Sequence, residues 1–298
     1  PGSDDRLLDV IYRCAVGVVR MMVNRSSRTS RRGFLGSSAA VGAAAGWVPA
    51  FVGNQPAFAS RSANDRLVIG CIGVGGKGIG DARELASLGD IAAVCDVDSK
   101  RTDLILADAK ICKPGTHAYG DYRKILDRPD IDVVSIVTTD HWHVKIAIEA
   151  LQAGKHVFCQ KPLSLTIEEN KLARAAAEKF PKQQFFIGTQ QRSQRDLFLR
   201  AVNMVRKGIL GPIRKVTAGI NGSPKGGPFP IEEPPRTLDW EMWLGQAPKV
   251  PYREKRCHNE FRWWYEYSGG KFTDWGAHHV DIAQWALEED SLGRGPTK

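Results

Sequence analysis

The chain lacks any CxxC pair or close cysteine framework. Its six cysteines, Cys14, Cys71, Cys95, Cys112, Cys159 and Cys257, are scattered, which excludes a disulfide-stapled scaffold and a zinc ribbon. Cys71, Cys95 and Cys159 fall in apolar runs, so buried reduced thiols are expected. It also lacks any Lys/Arg run interleaved with aromatics. Of the +9 formal charge, residues 1–59 contribute seven arginines against three acids, leaving 35 basic and 30 acidic residues in the rest. So mild an excess gives no case for nucleic-acid binding, and an anionic ligand explains it equally well. Histidine is sparse, and His141, His143, His278 and His279 do not form a recognised ligand spacing, so no metal site is expected. What is present is ordinary: 298 residues, 42% hydrophobic and 25% charged, which is enough for two globular domains.

One long uncharged stretch, 33–53, follows Ser30-Arg31-Arg32-Gly33-Phe34-Leu35, a match to the twin-arginine export signature. Ala57-Phe58-Ala59 then offers an A-x-A cleavage site before Ser60. The stretch is just long enough to span a bilayer, so an uncleaved tether is the alternative. Its small residues and the paired arginines favour export, with no membrane span after cleavage. The sequence begins at Pro1, and Met21 or Met22 would be a more usual start. Residues 1–20 therefore read as upstream translation or a fragment edge.

From Arg66 the pattern is βαβ. Leu67–Ile72 is a buried strand, Gly73-Val74-Gly75-Gly76-Lys77-Gly78 fits G-x-G-x-x-G, a helix runs to about Leu88, and Ile91–Cys95 is a strand ending at Asp96. Gly73 permits the turn, Gly75 lets backbone approach a pyrophosphate, and Gly78 lets helix pack on strand. The helix N-terminus presents free N–H groups to phosphates. Asp96 can accept from ribose hydroxyls and disfavours a 2′-phosphate, which points to NAD, although Lys100 and Arg101 nearby keep NADP open. The alternation continues through a helix at 99–109, a strand at 133–137, a helix at 144–153, a strand at 156–159, a helix at 166–179 and a strand at 185–188. This predicts a doubly wound parallel sheet ending near residue 190. Export of a folded chain with its nucleotide already bound would suit a compartment that has no free nicotinamide pool.

Ligands of such sheets bind at the C-terminal strand ends. Thr138–His143 and Gln160-Lys161-Pro162 lie there. A third cluster, Gly269–Asp281, places Asp274 and His278 four residues apart near the start of a helix running from about Trp275 to Leu287. A carboxylate beside an imidazole orients it and raises its basicity, whereas a helix cap and a core histidine would look the same. Phe261, Trp263, Trp264, Tyr265, Tyr267 and Trp275 form either core or a stacking platform for sugar rings.

The chain resembles the Gfo/Idh/MocA oxidoreductases from about Arg66 to Leu287. The matching features are the glycine motif, the D-H-W-H stretch ending at His143, Lys161-Pro162, Gly188-Thr189-Gln190-Gln191-Arg192, Leu238-Asp239-Trp240 with Trp243-Leu244-Gly245, and D-W-G-A-H at Asp274–His278. The resemblance implies an α/β architecture: a signal segment (1–59), a Rossmann domain (60–190), and a partial α+β domain (191–298). That last domain would have an open antiparallel sheet beginning at Ile213–Ile220 and used in homo-oligomer contacts. It implies catalysis by Lys161, Asp274 and His278, with His278 as base, Asp274 orienting it or binding a substrate hydroxyl, and Lys161 stabilising the alkoxide. Cofactor contacts would come from Gly73, Val74, Gly75, Gly78, Asp96, Thr138, His143, Gln160 and Gln190, and substrate contacts from Arg192, Trp263 and His279. Two positions depart from the pattern: Gln160 stands where the family usually has Glu, and Thr139 where it usually has Pro. The expected function is a periplasmic NAD(P)-dependent oxidoreductase of sugars or polyols. An NAD-dependent glycosidase working by oxidation and elimination, or a non-catalytic cofactor-binding fragment, are the alternatives. The chain stops soon after the catalytic helix, so a C-terminal truncation is also expected.

Overall fold

The computed structural model describes residues 66–287. The twin-arginine segment, Cys14 and the final residues lie outside that range.

Six strands form one parallel sheet: β1 (Leu67–Ile72), β2 (Gly89–Cys95), β3 (Cys112–Tyr119), β4 (Val133–Ile136), β5 (His156–Gln160) and β6 (Phe185–Gly188). Their order is β3-β2-β1-β4-β5-β6. Strands covered on both faces read as unbroken apolar runs, which is why β1, β2, β4 and β5 are legible. On one face α1 (Lys77–Ala86) and α2 (Ser99–Leu106) close a core of Ile69, Val74, Leu85, Ile91, Val94 and Ile105. On the other, α3 (Arg123–Leu126), α4 (Asp140–Gln152) and α5 (Ile167–Lys179) cover Ile72, Ile125, Val134, Ile146, Leu151 and Ala176. Thr166 caps α5 by accepting from Glu169 N at 3.1 Å, while Glu169 accepts from Leu165 N at 2.7 Å. The four cysteines of the sheet and Cys257 are buried free thiols, with pKa values raised chiefly by desolvation.

Three expectations need correction. β3 lies in a stretch where the sequence pattern predicts no element. It is an edge strand whose Lys113, Pro114 and Gly115 face solvent, so it carries no apolar run. Helix α4 begins at Asp140 rather than Val144, because nothing in Asp140–His143 breaks a helix, and these four residues bury in its first turn. Ile213–Ile220 is not a strand. It runs exposed, and among the described residues no strand pairs with it to complete a ladder.

After β6 come α6 (Arg200–Arg206), α7 (Trp240–Leu244), α8 (Gly270–Asp274) and α9 (Gly276–Ala286). A third core of Leu238, Trp240, Trp243, Leu244, Tyr252, Phe261 and Tyr267 holds α7 and the segment leading to α8. This unit is fastened to the Rossmann part at several points: His141 Nε2 and Trp142 Nε1 both donate to Trp243 O, at 3.0 and 2.9 Å, Ser99 N donates to Thr237 O at 2.8 Å, and Asp239 N donates to Val97 O at 2.9 Å. Among the described residues no helix is long and apolar enough to cross a membrane.

Candidate active site

The strand order reverses between β1 and β4, and the crevice beyond their C-terminal ends is where an open α/β sheet binds ligands. A cavity of about 710 Å³ lies there, running from the glycine turn and Asp96 to Lys161, Asp274 and His278. Gly73 has φ +80°, and a Cβ on it would sit 2.5 Å from Val137 O; on Gly78 a Cβ would meet Gly73 O at 2.0 Å. Both positions therefore require glycine. Over Gly75 lies the Arg101 guanidinium, in the space a side chain there would fill. Asp96 accepts from Val74 N and Asp98 N, each at 3.0 Å. Burial raises its pKa, and those backbone bonds with Arg101 partly counter the rise. His258 Nε2 sits 3.3 Å from Asp98 at the same end.

At the opposite end Lys161 Nζ donates to Asp274 Oδ1 at 2.5 Å and to Asp274 O at 2.8 Å. Arg262 Nε lies 3.5 Å from the same Oδ1. Burial works against the Asp274 carboxylate, but Lys161 and then Arg262 outweigh it, and its pKa falls below the usual value. Asp274 ends α8, with Trp275 separating it from α9, and no hydrogen bond joins it to His278. In place of the expected carboxylate–imidazole hydrogen bond, the Asp274 carboxylate pairs with Lys161, which follows directly on β5. Burial first, then Lys161, lowers the His278 pKa to about 4, contrary to the expected rise in basicity. Its Nδ1 is buried and unpartnered, as are Gln190 Oε1 and Gln191 Oε1, and all three residues line the cavity.

The other sequence-derived residues divide. Thr138, His143, Gln160 and Trp263 line the cavity. His143 is also a tie, with Nδ1 2.7 Å from Pro162 O and Nε2 3.2 Å from Thr138 O. Val74 lies behind the turn, offering its N–H to Asp96. Arg192 and His279 are outside the lining. Arg192 forms two 2.7 Å bonds to Asp281, and His279 stacks on Trp275 at 5.9 Å. Of the aromatic cluster, Phe261 and Tyr267 are core, whereas Trp263 and Trp275 face the cavity with Lys271 Nζ 5.5 Å from each ring. Sequence reasoning missed Asp140, Asp81 and Arg262. Asp140 accepts from Ser268 Oγ at 2.6 Å, 128 positions away, and Arg262 lies in the short 3-10 helix His258–Trp263, which carries no motif. Only a three-dimensional neighbour reveals either.

The model of the oxidoreductase family with an NAD-binding Rossmann fold matches residues 66–188, and the model of its C-terminal alpha/beta domain matches 225–295. The chain has the Gfo/Idh/MocA oxidoreductase fold. A glycosyl hydrolase family 109 protein of Shewanella sp. (strain W3-18-1) is 35% identical over 156 residues, 50% of this chain and 34% of that protein. An alpha-N-acetylgalactosaminidase of Shewanella oneidensis is 32% identical over 152 residues, 49% of this chain and 33% of that one. The chain thus spans about a third of the length of the curated relatives it matches. Among solved structures, an oxidoreductase domain protein from Kribbella flavida superposes with a TM-score of 0.53 at 26% identity, covering 75% of this chain and 54% of that one.

Within this Gfo/Idh/MocA fold, His141, His143 and His278 are held neutral, each with a pKa lowered by burial from 6.5 to about 4. A depressed folded pKa contributes stability that is complete above 6.5 and lost as pH falls through about 4. Asp140 acts in the opposite sense: burial raises its pKa from 3.8 to about 7, so its contribution is lost as pH rises through 7. Thermal unfolding should therefore show a midpoint that drops with acid, and Asp140→Asn should lift the midpoint on the alkaline side only. A parent midpoint that is level between the two limits would contradict neutral burial of the histidines.

Proposed function

We propose that the chain is an NAD(P)-dependent oxidoreductase acting on a CH–OH carbon of a sugar or polyol. The observation that carries this reading is the continuity of one cavity from the glycine turn and Asp96 to the Lys161–Asp274 pair and His278. The residues fit a dinucleotide: Gly73 and Gly78 admit no side chain at the turn and at the helix packing, only the mobile end of Arg101 lies over Gly75, and unpartnered Gln190 and Gln191 oxygens face the same space. Gly73, Gly75 and Gly78 would cradle the pyrophosphate, Asp96 the ribose, and Thr138, His143, Gln160 and Gln190 the nicotinamide half. Asp96 favours NAD, and Arg101 is the group a 2′-phosphate would use.

A bound nicotinamide would supply the hydride acceptor. On the protein side, the neutral His278 ring takes the hydroxyl proton as hydride leaves the same carbon, and Lys161 donates a hydrogen bond to the oxygen as charge develops on it. Asp274 holds the ammonium in place. Trp263 and Trp275 offer faces to a sugar ring. The names of the curated relatives favour a second reading, in which the same groups serve a glycosidase with no net redox change. The twin-arginine signature and the A-x-A site support export, and homo-oligomer formation follows from the resemblance alone.

The test is to purify the protein from cells under native conditions, denature it, and assay the released nucleotide. Near-stoichiometric NAD(P), followed by reduction of nucleotide on addition of sugars, supports the first reading. Glycosidic cleavage without net reduction supports the second. A protein that neither carries nor binds nucleotide rejects both.

A further inference from the structure

We propose that Asp81 is a positioning residue for Lys161, acting through Gln160, and that this contact requires an amide rather than a carboxylate at position 160. The Lys161 role is the one given above. Asp81 lies on α1, just beyond the glycine turn, and is 5% exposed, as is Gln160 at the end of β5. Gln160 Nε2 donates to Asp81 Oδ2 at 2.6 Å. The other Asp81 oxygen takes the Lys77 ammonium. A carboxylate only accepts, so it must face the amide NH₂, and that fixes which way the amide points. Gln160 Oε1 is thereby turned to the backbone N–H of Lys161, 3.3 Å away. Gly188 on β6 leaves the room: a Cβ there would lie 2.9 Å from Gln160 Cδ. Lys77, Asp81, Gln160 and Lys161 thus form a chain of contacts linking the glycine-turn end of the cavity to its reactive end.

The amide at 160 then has a physical reason. A glutamate at 160 would set two buried carboxylates at hydrogen-bond distance, and they could remain there only by sharing a proton. The other titratable groups facing Asp81 are Lys77 on its own helix and the Cys71 thiol of β1, whose pKa is raised by burial above all, then by Cys112 and Asp81. The shared proton would therefore have to come from solvent, which makes the cost of a glutamate at 160 depend on pH.

Four chains test this: the parent, Gln160→Glu, Asp81→Asn, and the double variant. In the double variant donor and acceptor exchange places, the new asparagine donating to the new glutamate. The readouts are NAD affinity, kcat and KM separately, and the unfolding midpoint, each at about pH 6 and about pH 8. Gln160→Glu should lose ~10-fold or more in NAD affinity and in kcat at the higher pH, with a lowered midpoint, and recover much of this at the lower pH. The double variant should return to within about threefold of the parent at both. A Gln160→Glu protein equal to the parent at both pH values would overturn the proposal, as would a double variant no better than Gln160→Glu alone. If the parent shows no turnover, the oxidoreductase reading fails, but the midpoints and their pH dependence still decide the Asp81–Gln160 proposal.

Discussion

Replacing Lys161 by methionine is expected to slow hydride transfer by about 10²–10⁴-fold while leaving nucleotide binding within a few-fold of the parent. The ammonium makes two hydrogen bonds to Asp274, and it sits at the substrate end of the cavity, away from the glycine turn. Methionine keeps much of the stem's length and removes the charge. A second signature is separable from rate. Lys161 ranks after burial among the causes that hold the His278 pKa near 4, so its loss should move the imidazole titration upward, as followed by NMR. Slow turnover with an unmoved His278 would mean that the lysine acts elsewhere than beside this ring. Full activity would remove it from the chemistry.

The largest stability effect is expected at Trp142. Its ring is buried and meets Tyr122 edge-on at 5.6 Å, and its Nε1 donates to Trp243 O. On its other side Gly245, at φ +55°, comes so close that a Cβ would lie 2.1 Å from the indole. Trp142→Ala leaves a cavity that this turn cannot readily fill, and it removes one of the two donors that meet at Trp243 O. A loss of about 3–5 kcal/mol follows from the size of the deletion. For a body of this length that corresponds to a fall in midpoint of more than about 6 °C. Trp142→Phe, which keeps the ring and loses the donor, should lie between the two. A drop of only a degree or two in the alanine variant would show that the third core does not unfold together with the sheet.

The parallel sheet was legible because its inner strands are covered on both faces and can only be apolar. β3 escaped because an edge strand needs one neighbour and little burial, so Lys113-Pro114-Gly115 looks like a loop. The dinucleotide turn was legible because its geometry is local, with six residues and one acid on the adjacent strand carrying it. The reactive end was legible only in part. Lys161 and Asp274 are both apparent as candidates, yet the four-residue spacing suggested that Asp274 serves His278. The residue that decides the matter is Lys161, whose ammonium takes the Asp274 carboxylate from 113 positions away. No periodicity encodes a contact of that range. The same holds for Arg192, whose place beside Gln191 in the Gly188–Arg192 string says nothing of Asp281 on α9.

The edge strand that was hardest to read has its own consequence at high concentration. An open sheet rim is a template for foreign chains, and exposed backbone donors recruit them. Here the outer strand carries a proline, which offers no donor, and beside it a solvated lysine held by Asp90 at 2.6 Å. At the far rim, β6 is only four residues long and closes on Gly188. Neither rim gives an incoming strand a long, flat run to zip onto, so the sheet is guarded against edge-to-edge aggregation by the same residues that hid one of its strands.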